Sequence, residues 1–159
     1  MGTSGKEPGE EYWSFIEPIW GVVGIHEDPD VFLNQFRKLP PEQGHVFAAT
    51  WCQSEVLNGG LHQFFWNPTG VLAPEAVAGF HAMGLDECAE ILEEAMSFFG
   101  DDYPRDQEKR ADILDRIPGD THEERDPFHH MNDKFYDGLD YENSRFEKAA
   151  DEYARRAAR

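Results

Sequence analysis

The chain has 159 residues, which fits one domain with a sizeable core, and its 13% aromatic content argues against disorder. Its net charge of −18 excludes a basic surface for phosphates, so no direct nucleic-acid binding is expected. The sequence has no run of 18 apolar residues and no secretory signal, which predicts a cytoplasmic protein without membrane contact.

Helical periodicity of apolar residues recurs along the chain, and no segment alternates with period two over the length of a strand. We therefore expect an all-α fold, a compact single-domain bundle of seven to nine helices. Residues 1–9 are expected to be a flexible N-terminus and residues 10–159 a single helical domain. The predicted helices cover residues 10–23, 28–39, 42–57, 73–83, 85–99, 105–117, 128–136 and 141–156, with a helical turn at 64–66.

Local signals fix several details of the first helices. Pro18 predicts a kink or break in the first helix. Asp28-Pro29 is a capping residue followed by a proline, the pattern that opens a helix, and in that helix Val31, Phe32 and Phe36 are expected to face inward.

A polar turn and three consecutive aromatic residues follow the third helix. Asn58 and the glycines after it predict a helix end, because glycine adopts a left-handed conformation without a Cβ clash. Residues 67–70 predict a second turn around Pro68. Between the two turns, the three aromatic residues at 64–66 are expected to enter the core.

This segment, residues 55–70, resembles a domain-of-unknown-function family whose best-known member is an acidic DNA-mimic protein that occupies a transcriptional repressor in place of DNA. The pattern is E-x-x-N-G-G-x-x-Q-F-F-x-N-x-x-G, and further matches lie at 82–84, at 133–136 and at Tyr153. The resemblance implies an all-helical, often dimeric cytoplasmic protein, and it does not imply that every member mimics DNA. The residues of the pattern, taken as mainly structural, are Glu55, Asn58, Gly59, Gly60, Gln63, Phe64, Phe65, Asn67 and Gly70.

The negative charge is unevenly distributed. Residues 86–142 hold 19 acids and 6 bases, whereas residues 61–85 hold one acid and no base. The last 17 residues carry a net charge of +2. The sequence thus predicts a neutral core segment followed by a strongly negative surface.

The helix predicted at 85–99 places apolar residues on one stripe and acids on the opposite side. Three of those acids, at 86, 90 and 94, follow one another at i and i+4 with no base between them, although like charges at this spacing destabilise a helix by about 0.2–0.5 kcal/mol per pair. We expect an acidic face that binds a basic partner protein. Its candidate residues are Asp86, Glu87, Glu90, Glu93, Glu94, Asp101, Asp102, Asp106, Glu108, Asp112 and Asp115.

Patterns of enzymes, cofactors and metal sites are weak. Residues 122–126 read His-Glu-Glu-Arg-Asp, in which Asp126 replaces the second histidine of a zinc-protease helix. His129 and His130 are adjacent and point about 100° apart on a helix. Cys52 and Cys88 are not a C-x-x-C pair, so we expect buried, reduced thiols. No enzyme activity, cofactor or metal is predicted.

Three functions remain open from the sequence. The first is a DNA mimic that occupies the DNA-binding face of a transcription regulator or other basic protein. The second is an immunity-type protein that neutralises a basic toxin. The third is a small-molecule binding module around residues 58–67, in which Asn58, Gln63 and Asn67 contact a ligand instead of capping helices and turns.

Aromatic residues outside the predicted stripes suggest an interface. Trp13, Trp20 and Tyr103 lie at the margin of these stripes or beyond them, and Trp13 stands nearly opposite Phe15 on the first helix. Contiguous exposed apolar surface marks a contact between proteins. We therefore expect a homodimer that pairs through the N-terminal helix.

Overall fold

The computed structural model describes residues 6–159, and all regular structure in this part of the chain is helical, as predicted. The helices form a compact single domain, in agreement with the expected fold class. Short 3₁₀ helices occur at Pro68–Leu72, Ser97–Phe99 and Tyr141–Asn143. Within residues 6–159 the α-helices are α1 (Glu10–Trp20), α2 (Pro29–Phe36), α3 (Pro41–Trp66), α4 (Ala73–Ala82), α5 (Asp86–Met96), α6 (Gln107–Asp115), α7 (His122–Arg125), α8 (His129–Leu139) and α9 (Arg145–Ala157).

Helix α3 is the centre of the fold, since α1, α4, α6, α8 and α9 all pack against it. Ala48, Cys52 and Val56, which follow one another at i+4 spacing, are fully buried, and so is Phe47. Cys52 and Cys88 are free thiols in the core. Burial raises the pKa of the Cys52 thiol well above its usual range and that of Cys88 to about 12, so both stay protonated.

The glycine pair separates α3 into two helical segments, in agreement with the helix end predicted at Asn58. Gly59 and Gly60 have non-helical backbone angles, and the φ of 79° at Gly60 is in the left-handed region that favours glycine. Beyond the break, the Leu61 N–H donates to Oδ1 of Asn132 in α8 at 3.0 Å. The chain then resumes a helical path to Trp66, so the predicted turn at 64–66 is the last turn of α3.

The N-terminal helices differ from the prediction in detail. Pro18 lies within the last turn of α1, so it does not end the helix. Asp28 caps α2 as expected, because its Oδ1 accepts a hydrogen bond from the Asp30 N–H at 3.0 Å. The prediction for Val31 was wrong, since it is 46% exposed while Leu33 is buried.

The start of α1 is held by the end of the chain. The carboxylate of Asp151 in α9 accepts hydrogen bonds from the Gly9 N–H at 2.7 Å and the Tyr12 N–H at 2.9 Å. Asp151 is only 7% exposed. Residues 1–5 of the segment expected to be flexible lie outside the described residues.

The second half of the chain has shorter helices and more turns than expected. Helix α6 is shorter than predicted at both ends, and the single turn α7 was missed. The last helix begins only at Arg145, because Asp140 and Ser144 adopt left-handed conformations that interrupt the predicted span. Within residues 6–159, no helix is both long enough and apolar enough to cross a membrane.

Candidate functional site

Helix α5 carries the densest group of candidate acids. Leu85, Cys88, Ala89, Leu92 and Ala95 are buried, as the periodicity predicts. The five acids of α5 are all exposed, and the helix contains no base. These acids are Asp86, Glu87, Glu90, Glu93 and Glu94.

Among residues 6–159, the side chains that pair with acids of α5 lie at its first turn. Nδ1 of His81 lies 2.8 Å from an Asp86 oxygen, and Arg145 lies 3.7 Å from an oxygen of Glu87. Among residues 6–159, no ion pair involves the side chains of Glu90, Glu93 and Glu94. The C-terminal half of α5 therefore presents uncompensated carboxylates to solvent.

The remaining candidate acids follow α5 in the connecting loop and on α6. Asp101, Asp102 and Glu108 are exposed, and half-buried Asp106 caps α6 by accepting from the Glu108 N–H at 3.0 Å. Other groups engage the last two acids of the set. Asp112 pairs with Arg116 at 3.0 Å, and Asp115 accepts a hydrogen bond from Nε1 of Trp66 at 3.0 Å.

The two acidic helices have different packing partners. Helix α5 packs chiefly against α4 and α8, whereas α6 packs against α3 and the 3₁₀ turn at Pro68–Leu72. The candidate acids thus belong to two helices and the loop between them. A partner that contacts both groups must span more than one helix face.

Comparison with known proteins places this region in a family. A family model described as DMP19-like protein matches residues 37–157, well over half of the chain. The chain belongs to the DMP19-like family. No curated protein and no solved structure matches the chain. The DMP19-like family is of the DNA-mimic type, in agreement with the resemblance found in the sequence.

The DMP19-like match includes every candidate acid and begins just after α2, so helices α1 and α2 lie outside it. It also includes residues 55–70, although the match does not single out their pattern. The significance of that pattern is therefore judged from its contacts.

The polar residues of the pattern mostly bond with one another. The Glu55 carboxylate accepts from Nδ2 of Asn67 at 2.6 Å and from the Thr69 hydroxyl at 3.1 Å, which ties the middle of α3 to the turn after it. Nδ2 of Asn58 donates to Oε1 of Gln63 at 3.3 Å across the glycine break. The roles expected of Asn58 as a backbone cap and Asn67 as the start of an Asx turn were wrong. These side chains bridge elements instead.

Arg110 of α6 binds the end of this segment through its guanidinium. Its guanidinium is fully buried on α6 and donates four hydrogen bonds to backbone carbonyls. Nε bonds to Phe65 at 2.8 Å and Nη2 to Asn67 at 2.9 Å. Nη1 bonds to Pro104 at 3.0 Å and Arg105 at 2.7 Å. Burial lowers the pKa of Arg110, but a guanidinium remains charged inside proteins.

The Arg110 bonds join the end of α3 to the loop that carries Asp101 and Asp102. Tyr103 strengthens the same junction, since its hydroxyl donates to the Gly70 carbonyl at 2.6 Å and its ring packs against Phe65 and Phe99. Burial raises the pKa of the Tyr103 hydroxyl, which keeps this donor protonated. Tyr103, placed by the sequence at the margin of the predicted stripes or beyond them, is half-buried and packs against the core.

The three aromatic residues at 64–66 differ in burial. Phe64 and Phe65 are fully buried, as predicted, but Trp66 is 39% exposed and bonds to α6. The prediction that all three enter the core was wrong for Trp66. It lies at the edge of the junction between α3 and α6.

Histidines near this region do not form a metal centre. The rings of His62 and His122 meet edge to face at 5.0 Å, and Nε2 of His129 lies 3.2 Å from a Glu123 oxygen. Burial lowers the pKa of His62, so its ring is neutral near pH 7. In the part of the chain that the structure describes, no three His, Cys, Asp or Glu side chains are arranged to hold a metal ion.

Arg110 is the most important residue that sequence analysis missed. A base within an acidic helix reads as a solvated charge, and Arg110 was counted only in the charge total. One signal was available, because Arg110 stands at i−4 to the buried Leu114 and therefore shares its face.

Proposed function

We propose that the protein is a non-enzymatic, cytoplasmic DNA mimic, whose acidic face occupies the DNA-reading surface of a transcription regulator or another basic protein. The family supports the general type of function. The uncompensated row of Glu90, Glu93 and Glu94 on α5 is the observation that carries the proposal for this chain.

The spacing of the carboxylates on α5 supports the comparison with DNA. Five charges over eight steps of about 1.5 Å give roughly one charge per 2.5 Å along the helix axis. Duplex DNA carries about one charge per 1.7 Å and a single strand about one per 3.4 Å. A protein surface that pairs lysines and arginines with phosphates meets a similar linear charge density on this helix.

The junction around Arg110 supports the proposal in a second way. A mimic must hold its charges in a fixed arrangement, because flexible side chains and loops lose entropy on binding. The four bonds from Arg110 fix the loop with Asp101 and Asp102 to the end of α3. This arrangement pre-organises the second acidic group.

Neutralising α5 tests the proposal. We expect the variant Glu90→Gln/Glu93→Gln/Glu94→Gln to bind its regulator at least about tenfold more weakly, since rim charges contribute up to about 1 kcal/mol each. The melting temperature should not fall, because these side chains are exposed. Titration against the regulator captured from the native lysate, at two salt concentrations, measures both affinity and its salt dependence.

A matched variant controls for net charge. Glu10→Gln/Glu17→Gln/Glu27→Gln removes the same three charges from exposed positions outside the family match. It should bind as the unmodified protein does. Equal weakening by both triple variants would show that net charge alone matters, and unchanged binding by the α5 variant would remove this helix from the interface.

Competition with DNA separates a mimic from an immunity-type protein. The regulator's own duplex operator should displace the protein completely, because both occupy one surface. A complex that persists at saturating operator DNA would contradict the mimic proposal.

We also propose a homodimer that pairs through α1. Trp13 is 39% exposed and meets Trp20 edge to face at 5.1 Å, and Trp20 in turn stacks on Trp51 of α3 at 4.7 Å. The aromatic row thus runs from the core to the surface. Val22, just beyond α1, is 71% exposed and extends the apolar surface.

Light scattering at moderate salt tests the dimer. We expect a particle of twice the 18.2 kDa chain mass, and Trp13→Ala should shift it to the monomer. Trp66→Ala is the matched control, because Trp66 is equally exposed but lies at the far end of α3. A monomer for the unmodified protein, or a dimer that survives Trp13→Ala, would contradict this interface.

A further inference from the structure

A cavity of about 230 Å³ lies where the connection between α2 and α3 meets α4, away from the acidic helices. Its walls are largely apolar and are formed by Phe36, Leu39, Pro40, Pro41 and Ala78. The Phe36 ring lies directly over Gly44, where an added Cβ would be 3.1 Å from the ring. The backbone and a rigid aromatic ring therefore shape the base of the cavity.

Two polar groups at this cavity have no partner among residues 6–159. No hydrogen bond or ion pair within residues 6–159 involves the guanidinium of Arg37 or Nε2 of His45. Glu75, the one acid in the lining, is already neutralised, because its two oxygens accept from Arg105 at 2.7 and 3.1 Å. One of the two polar groups without a partner, the guanidinium of Arg37, therefore carries a permanent positive charge.

Tyr153 orients the histidine. Its hydroxyl lies 2.7 Å from Nδ1 of His45, and burial raises the pKa of that hydroxyl, which keeps it protonated. Burial lowers the pKa of His45, so the ring is neutral near pH 7. In the tautomer that accepts from Tyr153 at Nδ1, the ring proton is on Nε2, which is then free to donate.

We propose that this cavity binds a small monocarboxylate with an apolar body, such as an aryl-substituted or branched-chain acetate. The carboxylate bonds to Arg37 and to Nε2 of His45, and the apolar body packs on Phe36, Leu39 and the two prolines. The proposal does not depend on the DNA-mimic function, since none of these residues belongs to the acidic face.

Charge and size both select this ligand class. The lining contains one base, Arg37, and one acid, Glu75, whose charge Arg105 neutralises, while Glu42 acts on His45 from outside the lining. The unpaired charge in the lining is therefore the positive charge of Arg37. An amine would meet Arg37 with like charge. The volume is below the 300–1,000 Å³ typical of pockets for drug-sized ligands, which favours a compact molecule with one ring or one branched chain.

Backbone amide NMR titration with three probes of similar size tests the proposal. Phenylacetate should shift the amides of Gly44, His45 and Ala78 and saturate in the millimolar range that a ligand of this size reaches. 2-Phenylacetamide should bind up to about fivefold more weakly, the effect of losing one exposed charge pair. 2-Phenylethylamine should give no saturable shift.

Two variants assign the binding to this cavity. Ala78→Leu fills the cavity from an exposed helix position and should abolish the phenylacetate shifts, whereas Ala157→Leu on the exposed end of α9 should leave them intact. Arg37→Gln should remove the preference for phenylacetate over the amide. Equal binding of the amine, unsaturable shifts, or full binding by Ala78→Leu would overturn the proposal.

Discussion

Replacing Arg110 with methionine should lower the free energy of unfolding by about 3–5 kcal/mol. The substitution keeps much of the side-chain volume but removes the donors to the carbonyls of Phe65, Asn67, Pro104 and Arg105. Buried acceptors without a partner retain their full desolvation cost. For a chain of this length the melting temperature should fall by about 10 °C, which thermal and denaturant unfolding can measure.

Two further variants test whether the loss of stability is specific to the hydrogen bonds of Arg110. Lys109→Met alters the neighbouring exposed residue and should change stability by no more than about 0.5 kcal/mol. Arg110→Lys keeps the charge but not the planar fork of donors, so it should still destabilise the protein. Should Arg110→Met unfold at the same denaturant concentration as Lys109→Met, the junction would not contribute to stability as described.

Gly79→Ala should destabilise the protein by about 2–3 kcal/mol, although alanine is the better helix former by up to about 1 kcal/mol. A Cβ at Gly79 would overlap the carbonyl oxygen of His45 and lie 3.1 Å from its carbonyl carbon. The obstacle is backbone of α3, so α4 must move away from the helix it packs on most extensively. Denaturant unfolding should show the loss.

Gly21→Ala is the control for this substitution. Gly21 follows α1 at a φ of −96°, and an added Cβ would meet nothing within 4 Å. The control should be neutral or slightly stabilising, since alanine restricts the unfolded chain. Unchanged stability of Gly79→Ala would mean that the two helices separate at little cost.

The sequence predicted those features that depend on neighbouring residues. The Asp28 cap, the buried stripe of α5 and the break at Gly60 each follow from spacing or from backbone preference within a few positions. Such patterns repeat along the chain and suffice for the all-α fold. The expectation for Val31 did not follow this periodicity, because Val31 immediately precedes Phe32 and stands five positions before Phe36, whereas the buried Leu33 is three positions before Phe36.

The remaining features depend on residues far apart in the sequence. The hydrogen bonds from Arg110 to Phe65 and from Leu61 to Asn132 join residues 45 and 71 positions apart, and no local pattern predicts them. Composition alone counted Arg110 among the six bases of an acidic segment, and periodicity left Tyr103 at the margin of the predicted stripes or beyond them. The acidic candidates could be named from sequence, but their division between α5 and α6 required the packing of both helices.

The capping of α1 by Asp151 has a consequence for synthesis of the chain on the ribosome. Asp151, whose carboxylate accepts from the Gly9 and Tyr12 amides, is translated 142 and 139 residues after them. A cap of this kind contributes about 0.5–2 kcal/mol to helix stability. A short isolated helix is only marginally stable in water, so it depends on such a contribution. Completion of α1 therefore waits until Asp151 has left the ribosome, so the amides of Gly9 and Tyr12 lack this partner while the intervening residues are made.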